Sequence, residues 1–238
     1  MGKAFIIPDV HLKPWMFREA DKYIERDKYD HIVCLGDIVD DWGCEYKLDL
    51  YKETLDTLVE FSERHPNMLF CYGNHDKSYI WELLESGYSA PARYTVLEGF
   101  SKLEKVLPQE NLKFIHRIDN ILFSHAGLLD IFVRYVANDL YDNVDDVLNK
   151  INNLKGDIMW DDTSPVWARP QEGNIFPLYK NNEFYQVVGH TPVHYPLEEG
   201  NLLSLDTFST YNDGVPIGNG AFVWIDTVTH KWEYVKLK

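Results

Sequence analysis

The chain has 238 residues, enough for one well-buried core, and its content of 45% hydrophobic and 14% aromatic residues is too rich for a disordered segment. Thirty-eight acidic against 23 basic residues give a formal net charge of −15, which argues against broad nucleic-acid binding and against attachment to anionic membranes. Cys34, Cys44 and Cys71 follow no disulfide or zinc spacing, and no apolar run has the length of a signal-peptide core or a membrane span, so a cytoplasmic protein with free thiols is expected.

Residues 4–8 (AFIIP) and 31–35 (HIVCL) are short apolar β-type runs, each ending at a polar cluster: Asp9-Val10-His11 and Gly36-Asp37-Ile38-Val39-Asp40. Between them Phe17, Ala20 and Ile24 recur at helical spacing, and Leu48, Tyr51, Leu55 and Val59 do so after the second. A third run, residues 68–72, ends in Gly73-Asn74-His75-Asp76 and leads into a helical stretch at 79–84. This β-α-β-α-β order predicts parallel strands with right-handed crossovers, whose carboxyl ends collect polar residues in one crevice.

Residues 112–116 and 120–123 read as a pair of strands leading into Ser124-His125-Ala126-Gly127. Val144, Val147, Leu148 and Ile151 then line one face of a helix over 144–154. The stretch at about 155–182 lacks periodicity and is rich in Trp, Pro, Asp and Gly, the signature of a lid or binding loop. The tail returns to strands at 186–189, 202–205, 221–226 and 231–237, which implies a second sheet. With no repeat or linker, residues 1–238 are read as a single domain carrying an irregular substrate-side insertion at about 155–182.

Five clusters, the last being Gly189-His190-Thr191, place an oxygen or imidazole donor directly after an apolar run, and their glycines let the backbone turn sharply. Oxygen and nitrogen donors without thiolates suit manganese, iron, magnesium or zinc. Hydrolysis of a phosphate ester needs charge neutralised on both attacking and leaving oxygens, which two cations about 4 Å apart and bridged by a carboxylate achieve. Asp37, central in the motif order, is assigned the bridge. Asp9 and His11 complete one site, and Asn74, His125 and His190 the other.

Asp-x-His, Gly-Asp-x-x-Asp, Gly-Asn-His-Asp, His-Ala-Gly and Gly-His-Thr-Pro, in that order from Asp9 to Pro192, resemble the motif set of the calcineurin-like metallophosphoesterases. Within them the chain is similar to the phosphoprotein phosphatase group, including its bacterial and phage serine/threonine phosphatases and the diadenosine tetraphosphatases. Leu205-Asp206-Thr207 also looks like a strand end of that group. The resemblance implies an α/β fold, a four-layer α/β/β/α sandwich with two mixed β-sheets and a dinuclear site at the loops on one edge. It further implies that His75 is the general acid or a phosphate contact rather than a ligand, oriented by Asp40, and that Asn74 also touches the substrate phosphate. A protonated imidazole beside a leaving oxygen can donate a proton, and a neighbouring carboxylate fixes its tautomer.

The match departs from the family at Asp41, where eukaryotic members carry a phosphate-clamping Arg, and at Asp76, where many have Glu. Trp160-Asp161-Asp162 and the segment from Ser164 to Pro170 resemble the Trp-x-Asp and Trp-x-Arg segments of bacterial-type members, which makes Arg169 the candidate phosphate-binding residue. His194 follows His190 with three intervening residues where the superfamily often has one, which argues against a seventh ligand. His31, His65, His116 and His230 read as core or surface histidines. Trp15, Trp42, Trp160 and Trp167 fall near the site loops and either pack in the core or stack on a base.

The leading expectation is a metal-dependent phosphatase with two divalent ions, manganese favoured over iron, zinc and magnesium, acting on phosphomonoesters as serine/threonine-type protein phosphatases do. Its partner is then a phosphorylated protein or a small phosphorylated metabolite or nucleotide. The alternatives are a nucleotide or dinucleoside polyphosphate hydrolase and an inactive scaffold of the same fold.

Overall fold

The computed structural model describes residues 2–171 and 176–235. Its first half runs β1 (Lys3–Ile7), α1 (Trp15–Asp27), β2 (His31–Cys34), α2 (Leu48–Arg64), β3 (Leu69–Cys71), α3 (Asn74–Trp81), α4 (Arg93–Val106), β4 (Leu112–Lys113), β5 (Ile115–Ile118) and β6 (Ile121–Ser124). The second half adds α5 (Asp130–Ala137), α6 (Val144–Asn152), β7 (Tyr185–Val188), β8 (Leu197–Glu199), β9 (Leu202–Ser204), β10 (Val223–Asp226) and β11 (Trp232–Tyr234).

β1 shows why the layers form. Ala4, Phe5, Ile6 and Ile7 are all buried, and side chains alternate across a strand, so β1 must lie between two cores. Phe5 and Ile7 belong to the core that holds Met16, Phe17 and Ala20 of α1, whereas Ala4 and Ile6 share a second core with Ile121, Phe123 and Val187 of the other sheet. Burying each such aliphatic or aromatic side chain contributes roughly 1.5–3 kcal/mol. The first sheet has the order β11-β10-β1-β2-β3-β4 and the second β5-β6-β7-β9-β8. Both are mixed: β1 to β4 run parallel with β10 antiparallel to β1, and β6, β7 and β9 run parallel between antiparallel edges. With α1, α2 and α4 on one outside and α6 packed on β5 and α5 on the other, the arrangement is the expected helix, sheet, sheet, helix sandwich.

The structure departs from the sequence-based elements in several places. The run at 112–116 is not one strand: β4 pairs with β3 in the first sheet, and after Phe114 the chain enters the second sheet as β5. Asn152 holds this crossing, its Oδ1 accepting both the Phe114 and Ile115 amides at 2.9 Å and its Nδ2 donating to the Ile115 carbonyl at 3.0 Å. The tail does not all join the second sheet, because β10 pairs with β1. Local alternation marks a strand but not its neighbour. Helices α4 and α5 had no expectation, and α3 starts at Asn74 itself, ahead of the expected 79–84. Residues 172–175 of the irregular stretch and 236–237 of the last expected strand lie outside the described residues. Among the described residues no helix is long and apolar enough to cross a membrane.

The two sheets are also tied by His116 of β5, whose Nε2 donates to the Phe70 carbonyl of β3 at 3.0 Å. Burial keeps this imidazole neutral and pulls its pKa down from 6.5 to about 4. Because the folded value lies below the unfolded one, the contribution to stability is complete above pH 6.5 and is lost as pH falls from there towards 4, up to about 3 kcal/mol. Denaturant titrations at neutral and mildly acidic pH should therefore show His116→Gln losing less stability on acidification than the wild type. Equal losses would place the acid sensitivity elsewhere.

Candidate metal centre and active site

The carboxyl ends of β1, β2, β3, β6 and β7 meet at one edge of the sandwich and carry the clusters picked out from the sequence. His11, Asp37, Asp40 and His190 sit at positive φ, +43°, +47°, +65° and +65°. Left-handed backbone at a non-glycine residue costs roughly 1–2 kcal/mol each and persists where the surroundings enforce it. Here they do. The Val10 and His11 amides donate to the Asp37 carbonyl at 3.0 and 2.8 Å, joining the first two loops. Asp76 accepts from the amides of Asp37, Ile38 and Gly73 at 3.0, 2.9 and 2.9 Å, joining the second to the third.

The six expected ligands lie close together, but among the described residues the three-donor groups near them join His11 and Asp37 to His75, and Asp37 to His125 and His190, without Asp9. Asp37 Oδ2 lies 3.2 Å from His125 Nε2 and 3.9 Å from His11 Nε2, so its carboxylate stands between the two halves of the set. His125 Nε2 is 3.0 Å from Asn74 Oδ1 and 3.1 Å from His190 Nδ1. Asp9 Oδ2 accepts the His190 amide at 2.8 Å and lies 3.8 Å from His125 Nδ1. Two rings are aimed by main-chain carbonyls: His11 Nδ1 donates to Asp40 O at 2.8 Å and His125 Nδ1 to Leu35 O at 2.9 Å. Each therefore turns its Nε2 inward, the nitrogen with which metal-binding histidines so oriented take a cation.

These residues fit a pair of divalent cations. Asp9 Oδ1 is buried without a hydrogen-bond partner among the described residues, and such a carboxylate oxygen calls for a cation. His125 Nε2 and His190 Nδ1 face each other with room for at most one proton between them. Three donor atoms, from Asp37, His125 and His190, lie within 4.8 Å of one another. The charges are tightly coupled. Burial, reinforced by Asp206, lifts Asp9 well above the usual carboxylate range. At Asp37 burial is outweighed by His125, His75 and His11, which hold it far below that range. Burial and His125 keep His190 well below its ordinary value, while Asp37 and Asp9 overcome burial to raise His125 to about 9.

Beside this cluster, His75 Nδ1 lies 3.0 Å from Asp40 Oδ2, as expected of an orienting carboxylate. Burial lowers the pKa of His75, but Asp37 and the hydrogen bond to Asp40 outweigh it and raise it to about 10. Asp40 is itself fixed by residues that sequence reasoning left in the core, the hydroxyls of Tyr51 and Tyr79, which donate to its Oδ1 at 2.7 and 2.5 Å. Glu85 was also missed: its Oε2 accepts from Asn74 Nδ2 at 2.5 Å and its Oε1 lies 3.4 Å from His75 Nδ1. It follows no motif and no periodic stripe, so nothing in the sequence marked it. Asn74 thus turns its oxygen to the cluster and commits one amide proton to Glu85, leaving the other for a substrate.

A cavity of about 550 Å³ opens over these groups, lined by His11, Asp37, Asn74, His75 and His190 on the floor and by Trp42, Trp167, Arg169 and Tyr211 on the walls. Arg169 Nη1 donates to Thr191 Oγ1 at 3.2 Å, which places the expected phosphate-binding guanidinium beside the Gly-His-Thr loop. Asp41, standing where a clamp arginine was anticipated, has its charge matched by Lys13 Nζ at 3.0 Å and accepts from Thr210 Oγ1 at 2.8 Å. Asp206 also faces the cavity, its carboxylate held by the amide and hydroxyl of Ser209 at 3.2 and 2.8 Å.

His194 is outside the cluster, bonded to the Ile217 carbonyl at 2.7 Å, so the longer spacing does exclude it. His65 and His230 bond to Asp21 and Asn120. Of the four tryptophans, Trp160 packs edge-on against both Trp81 and Trp167, Trp15 leans on Phe208, and Trp42 stands half exposed at the cavity wall.

Buried Asp, Asn and His donors gather at one edge of a two-sheet sandwich, beside an imidazole whose pKa is raised by neighbouring carboxylates, an arrangement suited to holding divalent metal ions. The family model for calcineurin-like phosphoesterases matches residues 2–217, and the chain belongs to that family. Among solved structures, a cold-active protein-tyrosine phosphatase of a psychrophilic Shewanella superimposes with a TM-score of 0.57 at 16% identity, covering 99% of this chain and 81% of that one. A protein serine/threonine phosphatase from Saccharomyces cerevisiae gives 0.54 at 15% identity over 94% of this chain and 72% of that one. At such identities the likeness is one of fold. No curated protein matches the sequence.

Proposed function

We propose that the protein is a dinuclear metal-dependent phosphatase acting on phosphomonoesters, with a phosphorylated protein as its substrate class. The observation that carries this reading is the Asp40–His75 pair, 3.0 Å apart, set against six gathered donors at the floor of one cavity. Asp9, His11 and Asp37 would hold one divalent ion, and Asp37, Asn74, His125 and His190 the other, with manganese the favoured metal. Bound there, the two ions supply positive charge to a phosphoryl oxygen and acidify a water at neutral pH. His75 binds Asp40 through Nδ1 and so keeps a proton available for the leaving oxygen. Arg169 grips the non-bridging oxygens of the phosphoryl group. A cytoplasmic setting fits the three unbridged, buried thiols.

Hydrolysis of an aryl phosphate and of the matching diester, by protein stripped of metal and then supplied with manganese, tests the reading. Manganese-dependent release from the monoester alone is expected; preference for the diester would replace phosphatase by phosphodiesterase, and no turnover with two metals bound would favour a scaffold. Arg169→Ala should raise KM for the monoester and the inhibition constant of free phosphate at least tenfold, since a bond to a charged group contributes about 1.5–3 kcal/mol. If neither constant moves, Arg169 serves only to hold Thr191.

Trp42, 49% exposed on the cavity wall, favours a second reading in which a nucleobase stacks there and the substrate is a nucleotide or dinucleoside polyphosphate. Adenosine phosphates would then quench tryptophan fluorescence in the wild type but less in Trp42→Leu. Identical quenching in both proteins, or none, would remove the nucleotide reading.

A further inference from the structure

We infer that Glu85 is a positioning residue for the metal centre, setting which end of the Asn74 amide faces the cations. The inference rests on the dinuclear reading of the site and goes beyond it, because Glu85 belongs to none of the motifs. Of the two ends of an asparagine amide, only the oxygen has a lone pair to give a cation; the nitrogen is a donor and cannot be a ligand. An amide free to rotate by half a turn therefore spends part of its time presenting the wrong end.

The surroundings of Asn74 decide the matter on one side. Its Nδ2 donates to Glu85 Oε2 at 2.5 Å, where the carboxyl group offers only oxygen atoms. A reversed amide would set oxygen against oxygen there, beside a side chain only 6% exposed. With the nitrogen so committed, Oδ1 is turned to the cluster, 3.0 Å from His125 Nε2.

The chain after α3 is built to deliver this carboxylate. The helix ends at Glu82 in left-handed conformation, φ +58°, and the following segment folds back over the third motif. Gly87, at φ +84°, lies alongside the site: a side-chain carbon there would make ordinary contact, 3.5 Å from Asp40 Cβ and 3.8 Å from His75 Cε1. Glu85 Oε1, 3.4 Å from His75 Nδ1, is buried without a hydrogen-bond partner among the described residues, so Oε2 and its bond from Asn74 Nδ2 tie this carboxylate to the third motif.

Calorimetric titration of manganese into metal-stripped protein tests this directly, because binding is read without turnover. Wild type should take up two ions. Glu85→Met keeps the volume and removes the acceptor, and should weaken one of the two sites about 10–100-fold, as loss of an outer-shell partner typically does, while leaving the other near its wild-type value. Glu85→Gln, whose amide oxygen can still accept from Asn74, should recover most of the loss.

The decisive variant is Asn74→Asp, which offers an oxygen whichever way it turns. It should restore the weakened site when combined with Glu85→Met, yet weaken that site in the presence of Glu85, where two carboxylates would collide. A purely structural role for Glu85 would produce no such reversal of sign. Two ions bound with unchanged affinity by Glu85→Met, or failure of Asn74→Asp to restore the site, would overturn the proposal alone. Fewer than two ions in the wild type would overturn the dinuclear reading and this proposal with it. Should Glu85→Met not fold, Glu85→Ala carries the same comparison.

Discussion

Replacing His75 with asparagine is expected to lower kcat for an alkyl phosphate by about a hundred- to ten-thousand-fold while two manganese ions remain bound. Asparagine keeps the polar contact towards Asp40 but has no proton to give at pH 7. The size of the loss should depend on the leaving group. An aryl oxide leaves readily without protonation, whereas an alkoxide does not, so the defect should shrink as the leaving group becomes more acidic. That dependence separates a proton donor from a residue that merely shapes the cavity. Metal content separates it from a ligand, a distinction worth making because His75, His11 and Asp37 each place a donor atom within 4.8 Å of the other two. Loss of a metal ion in His75→Asn would move His75 into the ligand set, and an equal loss of rate for aryl and alkyl esters would deny it the proton.

The proposed ligands were legible as a cluster in the sequence because each follows an apolar run that becomes a buried parallel strand, and parallel strands end on the same side of a sheet. Asp9, Asp37 and Asn74 are fixed in this way by β1, β2 and β3, and His125 and His190 by β6 and β7. What brings the two sheets face to face is less local. Ala4 and Ile6 are buried against the second sheet, but nothing in residues 3–7 says which strands will cover them. The same limit explains why β10 was assigned to the wrong sheet and why the 112–116 run was read as one strand. A pattern with period two identifies a strand and its faces and leaves its partner open. Glu85, Tyr51 and Tyr79 were invisible for a related reason. Their roles come from contacts across 11 to 39 residues of sequence, and Tyr51 sits on a hydrophobic stripe that conceals its hydroxyl.

Gly189→Ala is expected to abolish tight metal binding at the Asp9 end of the cluster, although it adds only one methyl group. The motif glycines were read from sequence as aids to turning, and Gly36, at φ +93°, is one. Gly189 and Gly73 are not at positive φ, and space is what they provide. A side-chain carbon on Gly189 would stand 1.9 Å from Asp9 Oδ1, and one on Gly73 would stand 2.1 Å from Asp37 Oδ1, where real contacts of this kind essentially never fall below 3.0 Å. Asp9 is wholly buried and its other oxygen is bonded to the His190 amide, so the carboxylate cannot swing clear without giving up that bond.

The strain of overpacking, typically about 1–3 kcal/mol, should appear as a lower melting temperature of the metal-free protein. The larger effect should appear with metal: manganese stabilises the wild type by mass action, and chelation should remove that increment from the wild type while changing Gly189→Ala far less. Gly43→Ala supplies the contrast, since no atom lies within 4 Å of its added carbon and its φ of +67° carries only the cost of left-handed backbone, about 1–2 kcal/mol. It should lose stability and keep its response to manganese. If Gly189→Ala responds to manganese as the wild type does, the carboxylate has room to move, and the close approach of Asp9 to the backbone is not what builds the centre.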